Sequence, residues 1–166
     1  MRGVLMVGYN FGYMRNKVFA ELLQNENIIK ALVVEDKNFL DIELNEKQRS
    51  YIKNPRLLIR NYIYPYKRIF DTTTEKKPII STQFSNFRKS GKNYRNGTVT
   101  FYILVPIDLE DTQCGVRYDY IGDEIENIFT NTTIGEFSFY DRGDIDVGDR
   151  YIGHYVTFAI TEFHIV

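Results

Sequence analysis

A single stretch, residues 98–129, constrains the fold of this chain more than any other. It begins with an apolar segment, Thr98–Val105, which is typical of a buried strand, and after a connection from Pro106 to Thr112 it continues as a helix that opens near Gly115 and closes around Phe129. The apolar residues of this helix fall at i, i+3, i+7 and i+10: Tyr118, Ile121, Ile125 and Ile128. The opposite side is predicted to carry the polar residues Arg117, Asp119, Asp123, Glu124 and Glu126. This spacing predicts a helix that covers one face of a sheet.

The part of the chain before this stretch is predicted to be mainly helical. From Met14 to Val33 the apolar residues follow a helical stripe, and Asn25 and Asn27 mark a break between two helical pieces. Residues 36–50 are charged and without a clear apolar face, which is typical of a surface loop or a peripheral helix. Asn54-Pro55 then resembles a helix start, for a short helix that runs through Ile63 and ends before Pro65.

Two strand hairpins complete the predicted fold. Residues 78–87 read as a strand, and a polar loop over residues 88–97 joins them to the strand that begins at Thr98. Residues 134–140 and 151–163 form the second pair, separated by an acidic loop over residues 141–150. We therefore expect an α+β fold with a mainly antiparallel sheet built from two hairpins and helices packed on one face. Residues 14–166 are expected to form a single domain, with residues 1–13 as an N-terminal arm or extension.

Composition excludes several classes of function. The net charge of −1 removes the simplest case for binding nucleic acid without regard to sequence, because that requires a surplus of Lys and Arg. With one cysteine, Cys114, an internal disulfide is excluded, and with only two histidines no soft-ligand metal spacing can be drawn. No run approaches the roughly 20 apolar residues that a membrane span requires. We expect no cofactor, no metal and no membrane partner.

The case for an enzyme rests on few residues. Asp119, Asp123 and Glu124 resemble the metal ligands of a nuclease, although the exposed face of an amphipathic helix explains them better. His154 lies in a predicted strand and is interpreted as a structural histidine, and Cys114 as a small buried side chain at a helix entry. A metal-dependent nuclease is the alternative from a different functional class, and the favoured prediction is a protein without catalytic residues.

Two predicted loops carry opposite charge and are the candidate functional surfaces. The first is basic and holds Arg88, Lys89, Lys92 and Arg95. The second is acidic and holds Asp141, Asp144, Asp146 and Asp149. If copies of the chain associate head-to-tail, the basic loop of one copy can meet the acidic loop of the next, and such a contact closes into a ring.

The order of elements resembles that of small neck proteins of tailed bacteriophages, of the tail-terminator or tail-completion type. The likeness covers most of Met14 to Phe163 and is carried by residues 14–33, the turn Asn61–Tyr66, the strand at Ile79 and above all Cys114–Phe129. The resemblance implies a structural virion protein without enzymatic activity, which forms a ring, typically a hexamer, that ends the tail tube and joins it to the head connector.

The resemblance also implies partners and a location. The partners would be the chain itself, the tail-tube protein and head connector proteins, with DNA passing through the ring without specific recognition. The location would be the head-tail neck of the virion, and the host cytoplasm during assembly. Another head-tail connector, a head-closure protein or a baseplate component is the nearest alternative within this structural class.

Overall fold

The computed structural model describes residues 11–68, 76–90 and 94–163, and the following bounds refer to that part of the chain. The helices are α1 (Phe11–Leu23), α2 (Glu26–Val33), α3 (Glu46–Lys53) and α4 (Arg117–Thr130). Short 3-10 turns span Pro55–Leu58 and Ile107–Leu109. The strands are β1 (Ile63–Tyr64), β2 (Ile79–Ser90), β3 (Tyr94–Pro106), β4 (Asp111–Thr112), β5 (Gly115–Val116), β6 (Gly135–Ile145) and β7 (Tyr151–Phe163).

The predicted helical region is confirmed, with two corrections. The break falls where it was predicted, since α1 ends at Leu23 and Asn25 caps α2 by accepting a hydrogen bond from the Ile28 amide at 2.9 Å. Helix α1 begins at Phe11, three residues before the predicted domain start, and most of the predicted arm lies outside the described residues. The helix predicted from Pro55 through Ile63 is wrong beyond Leu58, because Ile63 already belongs to a strand.

One five-stranded sheet, ordered β1-β2-β3-β7-β6, forms the framework of the molecule. Both predicted hairpins are present, because β2 pairs with β3 and β6 pairs with β7, each antiparallel. The hairpins join in the middle of the sheet, where β3 and β7 run antiparallel from Gly97 opposite Ile160 to Pro106 opposite Tyr151. Only the two-residue β1 is parallel to its neighbour among the described strands, so the predicted α+β class with a mainly antiparallel sheet is confirmed.

Both predicted loops are shorter than expected, because the strands continue into them. Strands β2 and β3 extend to the pair Ser90 and Tyr94, so that most of the predicted basic loop is a two-stranded ribbon. Strand β6 extends to Ile145, so that Asp141 and Asp144 are strand residues. The connection of the second hairpin is therefore residues 146–150.

The helices cover one face of the sheet and enclose the core. Side chains on alternate positions of β3 and β7 point to this face, and Phe101, Phe129 and Phe158 pack together with ring centroids 5.0–6.3 Å apart. The opposite face is polar in its middle, where Thr100 and Thr157 share a hydrogen bond of 2.9 Å. A small apolar cluster of Tyr64, Ile79, Leu104 and Tyr151 closes one end of that face.

Candidate functional site

The basic and acidic hairpin connections lie at opposite ends of the sheet. Gly97, near the start of β3, pairs with Ile160 near the end of β7, whereas Pro106 pairs with Tyr151 at the start of β7. The connection between β2 and β3 is therefore at one end of the strands, and the connection between β6 and β7 is at the other. Thirteen residues of β3 separate the two ends, a span of roughly 40 Å. Since the screening length is about 8 Å at physiological ionic strength, these charges do not neutralise one another within one copy.

A bulge sets the direction of the basic ribbon. The register of β2 against β3 shifts between Ser85 and Arg88, and Asn86 takes a left-handed backbone with φ of 59°. The Phe87 ring lies over Gly97, where an added Cβ would approach the ring carbons to 2.5 Å. The glycine therefore allows the ring to fold against the ribbon just before its basic end.

Three of the four basic residues of the candidate surface belong to this ribbon. Arg88 is exposed on β2, and Lys89 and Arg95 face each other as a backbone pair of the ladder. Lys92 lies outside the described residues. The structure thus places three of the four on one ribbon, and from Arg88 to Arg95 the sequence contains no carboxylate.

The acidic connection contains two of the four predicted aspartates. Asp146 and Asp149 are both exposed. The Asp146 carboxylate accepts a hydrogen bond from the Gly148 amide at 3.1 Å, and Gly148 takes a φ of 97° that favours glycine. Asp146 therefore both stabilises the turn and contributes to its negative charge. Lys67 and Arg68 line a cavity of about 420 Å³ together with Asp146, so this end also has cations nearby.

The other two predicted aspartates have partners within the chain. Asp141 accepts hydrogen bonds from the Tyr155 hydroxyl at 2.8 Å and from the Arg142 amide at 2.8 Å. The bond to Asp141 is the main reason that the pKa of Tyr155 is raised. Asp144 contacts Nδ1 of His154 at 2.9 Å while its side chain remains 74% exposed. A charge reversal at Asp144 would therefore disturb the fold as well as any contact between copies.

Arg142 organises a polar cluster between α4 and the edge strand β6. Its guanidinium contacts Asp123 at 2.6 Å and Glu126 at 2.8 Å, and it donates to the Asp119 carbonyl oxygen at 3.1 Å. Burial lowers the pKa of Arg142, but hydrogen bonds to Glu126 and Asp123 outweigh burial and leave the pKa above its ordinary value. The cluster fixes the outer face of α4 to β6.

His154 extends this cluster into the sheet. Nε of Arg142 donates to Nε2 of His154 at 2.7 Å, and since an arginine Nε can only donate, the ring proton must sit on Nδ1 and point to Asp144. The ring is buried, and Tyr118 stacks on it with centroids 5.2 Å apart. Burial, together with the charges of Asp144 and Asp119, raises the pKa of Tyr118. The buried ring and its contacts to Arg142 and Asp144 favour the interpretation of His154 as a structural histidine.

The carboxylates considered for a nuclease do not gather at one point. Asp119 and Asp123 are directed to Arg142, whereas Glu124 accepts a hydrogen bond from the Asn25 side chain at 2.8 Å. Over the described residues, no group of three or more His, Cys, Asp or Glu side chains is placed to hold a metal ion. Cys114 is exposed, so the interpretation of a buried thiol is wrong. No described helix has the length and apolar character needed to cross a membrane.

Arg117 lies on the buried face of α4, which corrects the prediction from the sequence. It was predicted on the polar side of the cover helix, but it is fully buried. All five of its N–H groups donate to carbonyl oxygens, at 2.8–3.2 Å, of Ala31, Val34, Glu35, Asp36 and Leu109. The helical spacing favours this burial, because Arg117, Ile121 and Ile125 follow one another at intervals of four residues along the buried face of α4.

The position of Arg117 explains how α4 is joined to α2. Its guanidinium closes the carboxyl end of α2, where unpaired carbonyls and the helix dipole favour a cation. Burial lowers the pKa of Arg117, and the nearby charges of Asp36 and Glu35 partly offset that effect. Arg117 is therefore a structural residue and is not available for binding a ligand.

Comparison with known proteins identifies a family. The YomW family model matches residues 25–160, which is most of the chain, and the chain belongs to this family. The family name is that of a phage-derived protein of the Bacillus phage SPBc2 type, so the coarser expectation of a bacteriophage protein is supported. No curated protein matches the chain.

Proposed function

We propose that this member of the YomW family is a structural protein of a phage particle, in which copies join head-to-tail into a ring at the neck. The ring, a hexamer in this proposal, terminates the tail tube and joins it to the head connector, and DNA passes through it without specific recognition. The observation that carries the proposal is the separation of the basic ribbon from the acidic turn by roughly 40 Å of sheet. Opposite charges that cannot meet within one copy are suited to meet between copies.

The geometry also favours a structural role over the nuclease alternative. Two-metal catalysis requires carboxylates that converge on a shared ion. In the described part of this chain, Asp119 and Asp123 contact Arg142 instead, and Glu124 contacts Asn25. A Mg²⁺-dependent cleavage of DNA that is lost in Asp119→Asn or Asp123→Asn would overturn this preference.

Charge reversal with rescue tests the head-to-tail contact. The variant Lys89→Glu/Lys92→Glu is expected to lower the sedimenting mass, because its ribbon repels the acidic turn of the neighbour. Adding Asp146→Lys/Asp149→Lys should restore the mass, because the charges of the ribbon and of the turn are then both reversed and attract each other again. These two aspartates are preferred to Asp144, whose carboxylate contacts His154. If the fourfold variant sediments no differently from the double variant, the proposed pairing is wrong.

The location at the neck has its own test. Antibody-gold labelling of phage particles is expected to mark the junction of head and tail, and particles lacking the protein should accumulate as separate heads and tails. Label confined to the distal end of the tail would favour the baseplate alternative. Label on filled heads that lack tails would favour head closure.

A further inference from the structure

A groove on the β1 side of the molecule is lined by three arginines. It lies between α1 and the segment Pro55–Pro65, encloses about 540 Å³, and has Arg15, Arg56 and Arg60 around it. Phe19, Leu23 and Ile59 give the groove an apolar floor, and none of the described residues that line it is a carboxylate. The groove therefore combines positive charge with apolar surface.

The arginines of the groove are held in different ways. Arg15 donates to the Pro65 carbonyl oxygen, and its guanidinium lies 4.7 Å from the centroid of the Phe84 ring. Burial lowers the pKa of Arg15. Arg60 sits in a turn closed by its amide, which donates to the Ile63 carbonyl oxygen at 2.8 Å. The side chains of Arg56 and Arg60 are exposed. One guanidinium is thus fixed in the groove, and two are accessible from solvent.

The opposite edge of the sheet has the complementary character. Strand β6 is the outer strand there, and its register against β7 shifts between Phe139 and Asp141, which leaves Tyr140 unpaired as a bulge. Phe139 is 53% exposed and Tyr140 is 69% exposed. Exposed carboxylates lie on the same edge of the molecule, with Glu136 and Asp141 on β6 and Asp123 on α4. Asp141 also accepts a hydrogen bond from Tyr155, and Asp123 also contacts Arg142.

We infer that the arginine groove is the docking site for the Phe139–Tyr140 bulge of a second copy. In this contact the aromatic rings fill the apolar floor and stack on guanidinium groups, while the flanking carboxylates pair with Arg56 and Arg60. The two edges are separated by the width of five strands, roughly 20 Å, so the groove and the bulge cannot meet within one copy. The contact is heterologous and of the kind that closes a ring. The inference rests on the proposed assembly and adds a second contact between neighbouring copies to the one between the basic ribbon and the acidic turn.

A nucleic acid is the less suitable occupant. Phosphate binding is favoured by a broad basic surface, and this chain has a net charge of −1 and an apolar groove floor. The bulge supplies both features that the groove lacks, exposed rings and carboxylates. Binding of DNA in the groove is the outcome that would overturn this inference.

Disulfide trapping between two different single variants tests the contact directly. In a Cys114→Ser background, Arg60→Cys and Tyr140→Cys proteins are mixed in equal amounts under mild oxidation. We expect a covalent dimer in the mixture at least fivefold above the matched pair Lys37→Cys and Tyr140→Cys, because Lys37 is exposed outside the groove. A chain carrying both cysteines should give a ladder of products that stops at the ring size.

Sedimentation of charge and aromatic variants gives the second measurement. Arg56→Glu/Arg60→Glu and Tyr140→Ala are each expected to raise the dissociation constant of the assembly at least tenfold. Ile42→Ala, which removes an exposed apolar side chain outside the groove and away from the acidic turn, should leave it unchanged. Circular dichroism and thermal unfolding confirm that each variant is folded.

The outcomes separate this inference from the proposed function. If the unmodified protein assembles but the mixture gives no more dimer than the control pair, the docking site is wrong and the ring proposal stands. If the Arg56→Glu/Arg60→Glu variant assembles normally but binds a DNA duplex more weakly, the groove is a nucleic-acid site and the inference is overturned. If the unmodified protein is a monomer, both are wrong.

Discussion

Arg117 is the largest fully buried side chain that the structure describes. Burying a guanidinium is unfavourable unless its donors are satisfied, and here five carbonyl oxygens satisfy them all. The apolar periodicity of α4 favours a buried side chain at position 117, whereas arginine is a residue type that is usually exposed. The helix could therefore be predicted but the burial of Arg117 could not, because four of its five acceptors, Ala31, Val34, Glu35 and Asp36 at the end of α2, are more than 80 residues away in the chain.

Arg117→Met is expected to lower the free energy of unfolding by roughly 3–5 kcal/mol, because it leaves buried carbonyl oxygens without donors, at a cost of about 1–3 kcal/mol for each such group. Arg117→Lys keeps the charge but has only three donors, so it should also destabilise, by a smaller amount. Urea unfolding at neutral pH measures both. Arg49→Met is the matched control, because its ion pair with Glu43 is exposed, and a change beyond about 0.5 kcal/mol there would argue against the comparison.

Replacing Gly122 in α4 by alanine is predicted to change the free energy of unfolding in the direction opposite to the usual one. Gly→Ala inside a helix ordinarily stabilises by about 0.5–1 kcal/mol. Here the new Cβ would approach Nη2 of Arg142 to 2.9 Å and its Cζ to 3.1 Å, and that guanidinium is held by Asp123 and Glu126. Gly122→Ala is therefore expected to destabilise.

A double-mutant cycle isolates the cause. In an Arg142→Ala background the obstacle is absent, so Gly122→Ala should recover its ordinary stabilisation in urea unfolding. The same sign of effect in both backgrounds would mean that the Arg142 cluster does not decide the outcome.

At the level of elements, the helices and the hairpin pairing could be predicted because each has a periodic apolar face. The strand ends could not. The ribbon beyond Arg88 is mostly polar in sequence, so it has no apolar alternation to reveal it as a strand. In β6 the bulge at Tyr140 shifts the alternation, so that Arg142 pairs opposite Val156 and Asp144 opposite His154. Because Arg142 and Asp144 are polar residues at inward-facing positions of the strand, the sequence of this part of β6 resembles that of a loop.

The residue that caps α2 also contacts α4, so it should contribute more to the free energy of unfolding than a cap with only local contacts. Asn25 accepts from the Ile28 amide and donates to Glu124 of α4, whereas Asn45 caps the exposed start of α3 through a capping box. Asn25→Ala is expected to cost about 1–2 kcal/mol, and Asn45→Ala about 1 kcal/mol or less. Chemical denaturation compares the two. A larger loss for Asn45→Ala would contradict the proposed link between α2 and α4.

For the whole molecule, the charge distribution is the property that the sequence predicted only in part. The two charged hairpins were recognised from composition, but their placement at opposite ends of the sheet depends on the pairing of β3 with β7, which is nonlocal. The groove at β1 and the bulge at β6 were not predicted at all, because a two-residue strand and an irregular register leave no pattern in the sequence.

Assembly through these surfaces is expected to weaken with salt. The screening length falls from about 10 Å at 0.1 M to about 3 Å at 1 M ionic strength, so contacts between exposed charges lose most of their attraction. Light scattering across this range should show the mean mass falling as salt rises. A mass that stays constant or increases would indicate an interface dominated by apolar contacts.

Sedimentation velocity of the purified protein at low ionic strength tests the central claim most directly. A head-to-tail ring predicts one sharp boundary whose mass is a fixed multiple of the 19.6 kDa chain over a wide range of concentration, because a closed ring adds no further copies. A single 19.6 kDa species at every concentration would contradict the account.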